Sequence, residues 1–350
     1  MGSYPVNEST TFLFLMTFPI SYLFFFSTLL IGSVLSISSR SWFGCWLGLE
    51  LNLLSFIPLI TTKLHSYLSA AAIKYFLVQA LASTVLIISA SALLFNPELS
   101  HIIILLSLIL KLGAAPMHFW FPQVIEGLSW PQAFILLTIQ KLAPIFLISY
   151  LTFSEALINI ILYFALISSV IGALGGLNVT MIRKLIAFSS INHISWILIA
   201  IYIRDIYWLL YFSLYCLTSG SVIIILYSTQ SFSISDILNQ SRKKIYLNII
   251  VPINILSLGG LPPFLGFIPK WALIQFISQD LIIFPLAVLL GSSLITLYFY
   301  IRLFIPLTLI SFSSFVSNLK NSSLFSSSPL IITLTSINLF GILLPIPFFL

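Results

Sequence analysis

Apolar runs of about twenty residues or more, separated by short polar joints, recur along the whole 350-residue chain. At a rise of ~1.5 Å per residue, ~20 residues cross a ~30 Å hydrocarbon core, so each run predicts one membrane-spanning helix. The pattern predicts eleven, near 12–38, 42–61, 70–95, 100–117, 131–152, 155–177, 184–203, 206–229, 245–278, 281–306 and 329–350. Alternating strands of ~10 residues, the mark of a membrane β-barrel, are absent. The polar stretch Gln230–Lys244 and the Ser-rich stretch Ser311–Ser328 are the only substantial connectors. Neither could fold into a nucleotide- or cofactor-binding domain, so the expectation is one all-α polytopic membrane domain over residues 1–350.

Composition supports this. Hydrophobic residues make up 60% of the chain and charged residues 6%, against ~25% charged in soluble domains; a water-facing surface cannot be built from that supply. The net charge of +6 does not mean nucleic acid, because the basic residues are scattered and form no contiguous stripe. They sort by side instead. Lys63, Arg183, Lys184, Arg242, Lys243, Lys244, Arg302 and Lys320 fall on one face, and only Arg40 and Arg204 on the other. The positive-inside rule places the first face toward the matrix or cytoplasm, with the N-terminus on that face and the C-terminus opposite. Cys45 and Cys216 lie in apolar segments without CxxC or Cys/His spacing and read as small core residues. No cleavable leader is expected, since the first apolar run is too long and lacks a basic preface.

A weak internal repeat pairs Leu110-Lys111-Leu112-Gly113-Ala114-Ala115-Pro116 with Leu256-Ser257-Leu258-Gly259-Gly260-Leu261-Pro262, five segments apart. Five is odd, so the copies cross the membrane in opposite directions. Inverted repeats with Gly/Pro-interrupted helices are a transporter architecture, and units near 12–152 and 155–306, followed by a terminal helix 329–350, are expected.

The rare charges inside the apolar runs carry the chemistry. Lys111, Lys141 and Lys270 each stand beside a helix breaker: Gly113 and Pro116, Pro144, and Pro262, Pro263 and Pro269. An ionisable group at the bilayer centre costs ~2.5–3.5 kcal/mol even on the lenient insertion scale, and broken helices survive in membranes only where protein or a wet cavity satisfies the freed backbone. A lysine so placed is a proton carrier whose affinity is set by its surroundings; the competing reading is a long side chain snorkelling to the interface, strongest for Lys74. Glu50 sits mid-segment and is too short to snorkel, so a Glu50–Lys111 pair is the natural expectation. His118 and His193 could extend a proton path. Thr138, Gln140, Ser189, Ser190 and Asn192 could hold water or tie helices together, and Arg183 and Lys184 could anchor the basic interface. GxGxxG, GxxxxGK[ST] and HExxH motifs are absent, as is any Cys cluster, so nothing recognisable binds NAD, flavin, iron–sulfur or ATP.

Six runs together carry a family resemblance: Trp46–Asn52, Lys74–Ser83, Leu110–Pro122, Gln140–Pro144, Gly172–Ser190 and Leu256–Trp271. Over roughly residues 40–305 the chain resembles the NADH-ubiquinone oxidoreductase chain 2 family, antiporter-like subunits of the membrane arm of mitochondrial complex I. The resemblance implies two inverted five-helix units, each with one broken helix, and proton-handling roles for Glu50, Lys111, Lys141 and Lys270. It implies the mitochondrial inner membrane, with other membrane-arm subunits and lipids such as cardiolipin as partners. NADH, FMN, iron–sulfur clusters and ubiquinone would belong to the parent complex rather than to this chain. Some family members carry three further N-terminal helices that this chain lacks. The expected role is proton translocation coupled to electron transfer from NADH to ubiquinone. Alternatives are an Mrp-type cation/proton antiporter, or a non-pumping structural subunit of the same complex.

Overall fold

The computed structural model describes residues 20–61, 66–243, 247–279, 283–317 and 329–340. Among these, the elements are helical apart from one isolated antiparallel bridge between Met181 and Ser233. Helices α1 (Ile20–Ser38), α2 (Trp42–Ile60), α3 (Ser66–Ala92), α8 (Glu155–Gly175), α9 (Ile182–Ile203), α10 (Asp205–Thr229) and α14 (Ile283–Ser317) each contain a stretch long and apolar enough to cross a membrane. So does the pair α6 (Trp130–Leu137) and α7 (Ile139–Ser149) taken together. The start of the first predicted segment and the end of the last lie outside the described residues; α15 (Pro329–Phe340) covers part of the latter.

Two crossings are broken, each by a left-handed glycine. Helix α4 (Pro97–Leu112) ends at Gly113, φ 70°, and α12 (Leu247–Gly259) ends at Gly260, φ 77°. Positive φ carries no steric cost without a Cβ. In both, the second half-helix starts seven residues on, at Trp120 for α5 (Trp120–Gly127) and Phe267 for α13 (Phe267–Gln279). The matching glycines are therefore Gly113 and Gly260, one residue off the pairing of Gly113 with Gly259 that the sequence suggests.

The predicted unbroken segment 131–152 is also interrupted. Thr138 leaves helical geometry (φ −116°, ψ −80°), and its hydroxyl donates back to the Phe134 carbonyl at 2.7 Å. Such back-bonding bends a helix, and Pro144, six residues later, further weakens the ladder that would hold α6 and α7 straight. Lys141 begins its helix here, its N–H reaching the Thr138 carbonyl at 3.1 Å.

The Gln230–Lys244 connector is not plain loop but contains α11 (Ile234–Lys243). Ser233 and Asp236 form a capping box: the Asp236 carboxylate accepts the Ser233 N–H at 2.8 Å and the Ser233 hydroxyl accepts the Asp236 N–H at 3.3 Å. Ile237 and Ser241, one turn apart, are buried, which seats the helix on the bundle.

Small residues let particular helices touch. A Cβ on Gly48 of α2 would lie 2.7 Å from the Gly32 carbonyl oxygen of α1, and one on Gly172 of α8 would lie 2.7 Å from the Asn192 nitrogen of α9. Both are backbone-to-backbone approaches, the way membrane helices associate without a hydrophobic driving force.

Candidate functional site: a row of buried lysines across two helix breaks

The three flagged lysines are interior. Lys111 is 6% exposed, Lys141 2% and Lys270 5%. None reaches the surface, which removes the snorkelling reading for them.

Lys111 lies in the last turn of α4, where the break leaves carbonyls without intrahelical donors. Side chains fill the gap: Gln79 Nε2 of α3 donates to the Lys111 carbonyl at 3.2 Å and Trp120 Nε1 of α5 to the Leu110 carbonyl at 3.1 Å. His118 lies in the break itself, Nδ1 donating to the Pro116 carbonyl at 3.1 Å. At the second break Lys270 takes this duty, its Nζ donating to the Gly259 carbonyl at 2.8 Å. A cation at a helix C-terminus also meets the negative end of the macrodipole. Lys270 further lies 5.9 Å from the Trp196 ring.

Lys141 differs. Its Nζ is buried without any hydrogen-bond partner. It stands 4.6 Å from the Phe121 ring centroid and 5.7 Å from that of Tyr215, and aromatic faces attract a cation without binding a proton. His193 lies near it: its ring is 5.0 Å from that of Tyr215, which Lys141 also faces, and its Nδ1 is 2.9 Å from the Tyr211 hydroxyl. Lys111, Lys141, His193 and Lys270 follow one another in a row along the sequence from the first break to the second, and Lys111 and Lys141 line one cavity.

The expected Glu50–Lys111 ion pair is not formed. Among the described residues the one ion pair is Lys184–Glu126, at 2.8 Å and partly exposed. Glu50 lies on α2 and Lys111 on α4, and both helices pack against α3. Glu50 Oε2 is buried and unpartnered, yet its charge acts on both Lys111 and Tyr75.

Other predicted residues fall outside the row. Lys74 is exposed and donates to Gln123 at 3.2 Å. Asn192 ties α9 to α8 and α14 through the Ser169 carbonyl and the Ser292 hydroxyl. Ser189 and Ser190 donate back to the Ile186 and Ala187 carbonyls of their own helix, and their hydroxyls also meet those of Tyr300 and Tyr215. Arg183 donates to the Leu128 carbonyl at 2.6 Å and covers the Phe232 ring. Cys45 and Cys216 are free thiols. Gln140 does join the site. It accepts from the Tyr75 hydroxyl at 3.0 Å and donates to Asn52 Oδ1 at 2.7 Å. The sequence reading did not single out Tyr75 or Gln79; their spacing of four on α3, facing the break, was the available signal.

A charge-poor helical bundle with two broken helices and three interior lysines defines a polytopic membrane protein that keeps ionisable groups in its interior. The family model described as NADH:quinone oxidoreductase/Mrp antiporter, transmembrane, matches residues 39–98 and 96–296. The chain is 45% identical over 308 residues to NADH-ubiquinone oxidoreductase chain 2 of Anopheles gambiae, covering 85% of this chain and 87% of that protein. It is 43% identical to the same protein of Aedes aegypti over 91% of this chain and 95% of the relative. Its fold matches a chain of respiratory complex I from Thermus thermophilus, with a TM-score of 0.79, 23% identity and coverage of 93% and 79%. It also matches the Mrp complex from Dietzia sp., with a TM-score of 0.68, 16% identity and coverage of 80% and 59%. The chain belongs to the NADH-ubiquinone oxidoreductase chain 2 family.

Proposed function

We propose that this chain is a membrane-arm subunit of a proton-translocating NADH:ubiquinone oxidoreductase, and that Glu50, Lys111, Lys141 and Lys270 handle the proton, with His118 and His193 as relays. The observation that carries the residue assignment is Lys141. A lysine 2% exposed, with no hydrogen-bond partner and no carboxylate paired to it, is a poor stabilising element. It is well placed to gain and lose a proton as its surroundings change. A purely structural buried cation would be expected to be paired and hydrogen-bonded.

The mechanism follows from what each group touches. Glu50 acts electrostatically on Lys111, so approach of the two favours protonated Lys111 and separation releases its proton toward Lys141. His193 then connects Lys141 to Lys270. Moving one charge against 100 mV takes about 2.3 kcal/mol, and a change of about two pH units in a lysine's proton affinity corresponds to about 2.7 kcal/mol, so the electrostatics match the task in scale. Electron transfer from NADH to ubiquinone takes place on cofactors of partner subunits, and this chain responds to it. Its setting is the mitochondrial inner membrane, with the basic face and N-terminus toward the matrix.

Two inverted units underlie the site in this reading. Gly32, Asn52 and Tyr75 stand 140 residues before Gly172, Asn192 and Tyr215, and Gly113 and Trp120 stand 147 before Gly260 and Phe267. The close approaches of Gly32 to Asn52 and of Gly172 to Asn192 support the correspondence.

The likeness to an Mrp complex favours one second reading, a cation/proton antiporter using the same lysines. The test is Lys141→Met in the assembled complex, reading proton uptake per NADH oxidised. Pumping should fall while assembly persists; unchanged pumping would sink the assignment. Sodium flux through the chain alone would move it to the antiporter class.

A further inference from the structure

Between Lys111 and Lys141 lies a small cavity of about 10 Å³, lined by Tyr75, Gln79, Lys111, Trp120, Gln140 and Lys141 among others. Room for about one water-sized sphere, with several polar groups converging, is what a bound water requires. We propose that this is a one-water site joining the two lysines, and that Tyr75 and Gln140 are positioning residues that set the water's orientation. The inference rests on the proton-handling roles given to Lys111 and Lys141 above.

The hydrogen bonds have a single direction. Asn52 Oδ1 accepts from Gln140 Nε2 at 2.7 Å, and Gln140 Oε1 accepts the Tyr75 hydroxyl proton at 3.0 Å. With its proton committed to Gln140, Tyr75 offers the cavity only an acceptor lone pair. A water in the cavity therefore gives one hydrogen to Tyr75 and keeps one hydrogen and its lone pairs for the lysines. When Lys111 is the ammonium and Lys141 the amine, the water accepts a proton from Lys111 as it passes its free hydrogen to Lys141. One O–H bond forms and one breaks, the water stays neutral, and the positive charge moves from one lysine to the other. If the Tyr75 hydroxyl pointed into the cavity instead, it would compete as a donor for the oxygen that must receive the proton.

The same bonds could serve merely to tie α2, α3 and α7 together, so the test must read more than assembly. Tyr75→Phe removes only the hydroxyl and keeps the ring against Phe56, 5.1 Å between centroids, and Trp120, 6.0 Å. In the assembled complex, proton uptake should slow by about tenfold, the scale of one lost hydrogen bond to a charged relay. The solvent deuterium isotope effect on uptake should rise, a change that a structural tie would not produce. If Tyr75→Phe leaves both untouched while Lys141→Met stops pumping, the water site is wrong and the lysine assignment stands. If neither variant alters pumping, both fail. Should Tyr75→Phe not assemble, a high-resolution electron cryomicroscopy map of the unmodified complex decides. Water density within hydrogen-bond reach of the Tyr75 oxygen and both lysine nitrogens supports the site, and an empty gap overturns it.

Discussion

Adding one methyl group at Gly48 tests how the α1–α2 contact supports the site. The new Cβ would lie 2.7 Å from the Gly32 carbonyl oxygen and 2.8 Å from Ser36 Cα, with the Ser36 nitrogen nearer still. Ordinary contacts of this kind begin near 3.4 Å, and every clashing atom but the methyl is backbone, so no rotamer change relieves it. Helix α1 must back away by about 1 Å, at a cost of about 1–3 kcal/mol for overpacking. Replacing glycine inside a helix returns about 0.5–1 kcal/mol, leaving a net loss of about 1–2 kcal/mol. Gly291 in α14 is the control: nothing lies within 4 Å of its Cβ position, so Gly291→Ala should be neutral or stabilise by up to about 1 kcal/mol. The assay heats the isolated complex in steps and follows this subunit's retention on native gels. Gly48→Ala should dissociate at lower temperature than Gly291→Ala. Proton uptake should suffer too, because α2 carries Glu50 and Asn52, the latter bonded to Gln140. Equal retention of the two variants would refute the claim that this crossing is set by backbone contact.

Asp236 gives a pH prediction outside the membrane. Hydrogen bonds from the Ser233 hydroxyl and backbone hold its carboxyl below the ordinary carboxylate range. A lowered folded value means the capping contribution is present above the ordinary value, ~3.9, and is lost as pH falls through the lowered one. Hydrogen exchange in α11 should accelerate in acid, and Asp236→Asn should exchange faster at neutral pH with a weaker acid response; an identical profile would exclude the cap. Lys184→Ala should change stability by less than about 1 kcal/mol, since the Lys184–Glu126 pair is partly exposed; a larger drop in thermal retention would contradict this. Moving the second lysine with Lys270→Gln and Leu258→Lys together keeps the number of lysines but should not restore pumping, as proton uptake would show.

Much of the site was legible from cost alone. A lysine in an apolar run beside glycine and proline is expensive wherever it points, so Lys111, Lys141 and Lys270 could be found without knowing the fold. The two helix breaks were also readable, because each lies in one of the two matching Gly/Pro runs. Pairing was not. Whether Glu50 reaches Lys111 depends on how α2, α3 and α4 pack together, which no local pattern encodes. The bend at Thr138 was hidden because threonine is apolar enough to continue a run, and its effect comes from a hydroxyl turned onto Phe134. Helix α11 was missed because an interfacial helix of ten residues has too few apolar positions to register as a membrane segment. Tyr75 was overlooked for a related reason: a buried tyrosine looks like core until its hydroxyl partner is seen.

The two units, as proposed, are not copies in their chemistry. Under the offsets of 140 and 147, Glu50 corresponds to Ser190, Lys111 to Leu258, and Lys270 to Gln123. The first unit thus puts its lysine before the break and the second puts it after. Counting crossings explains why. On the proposed count of crossings, the broken pair α4–α5 and the broken pair α12–α13 are five apart and run in opposite directions. A lysine at the strictly equivalent place, Leu258, would lie in the half of the second broken crossing that faces the opposite side of the membrane from α4. On the same count, Lys270, placed after the break on α13, occupies the half that faces the same side as α4, whose last turn carries Lys111. Lateral transfer through Lys141 needs its end points at similar depth, because a charge moved along the membrane normal does work against the membrane potential as well as against desolvation. In the proposed inverted scaffold, the displaced lysine brings the two transfer points to one level.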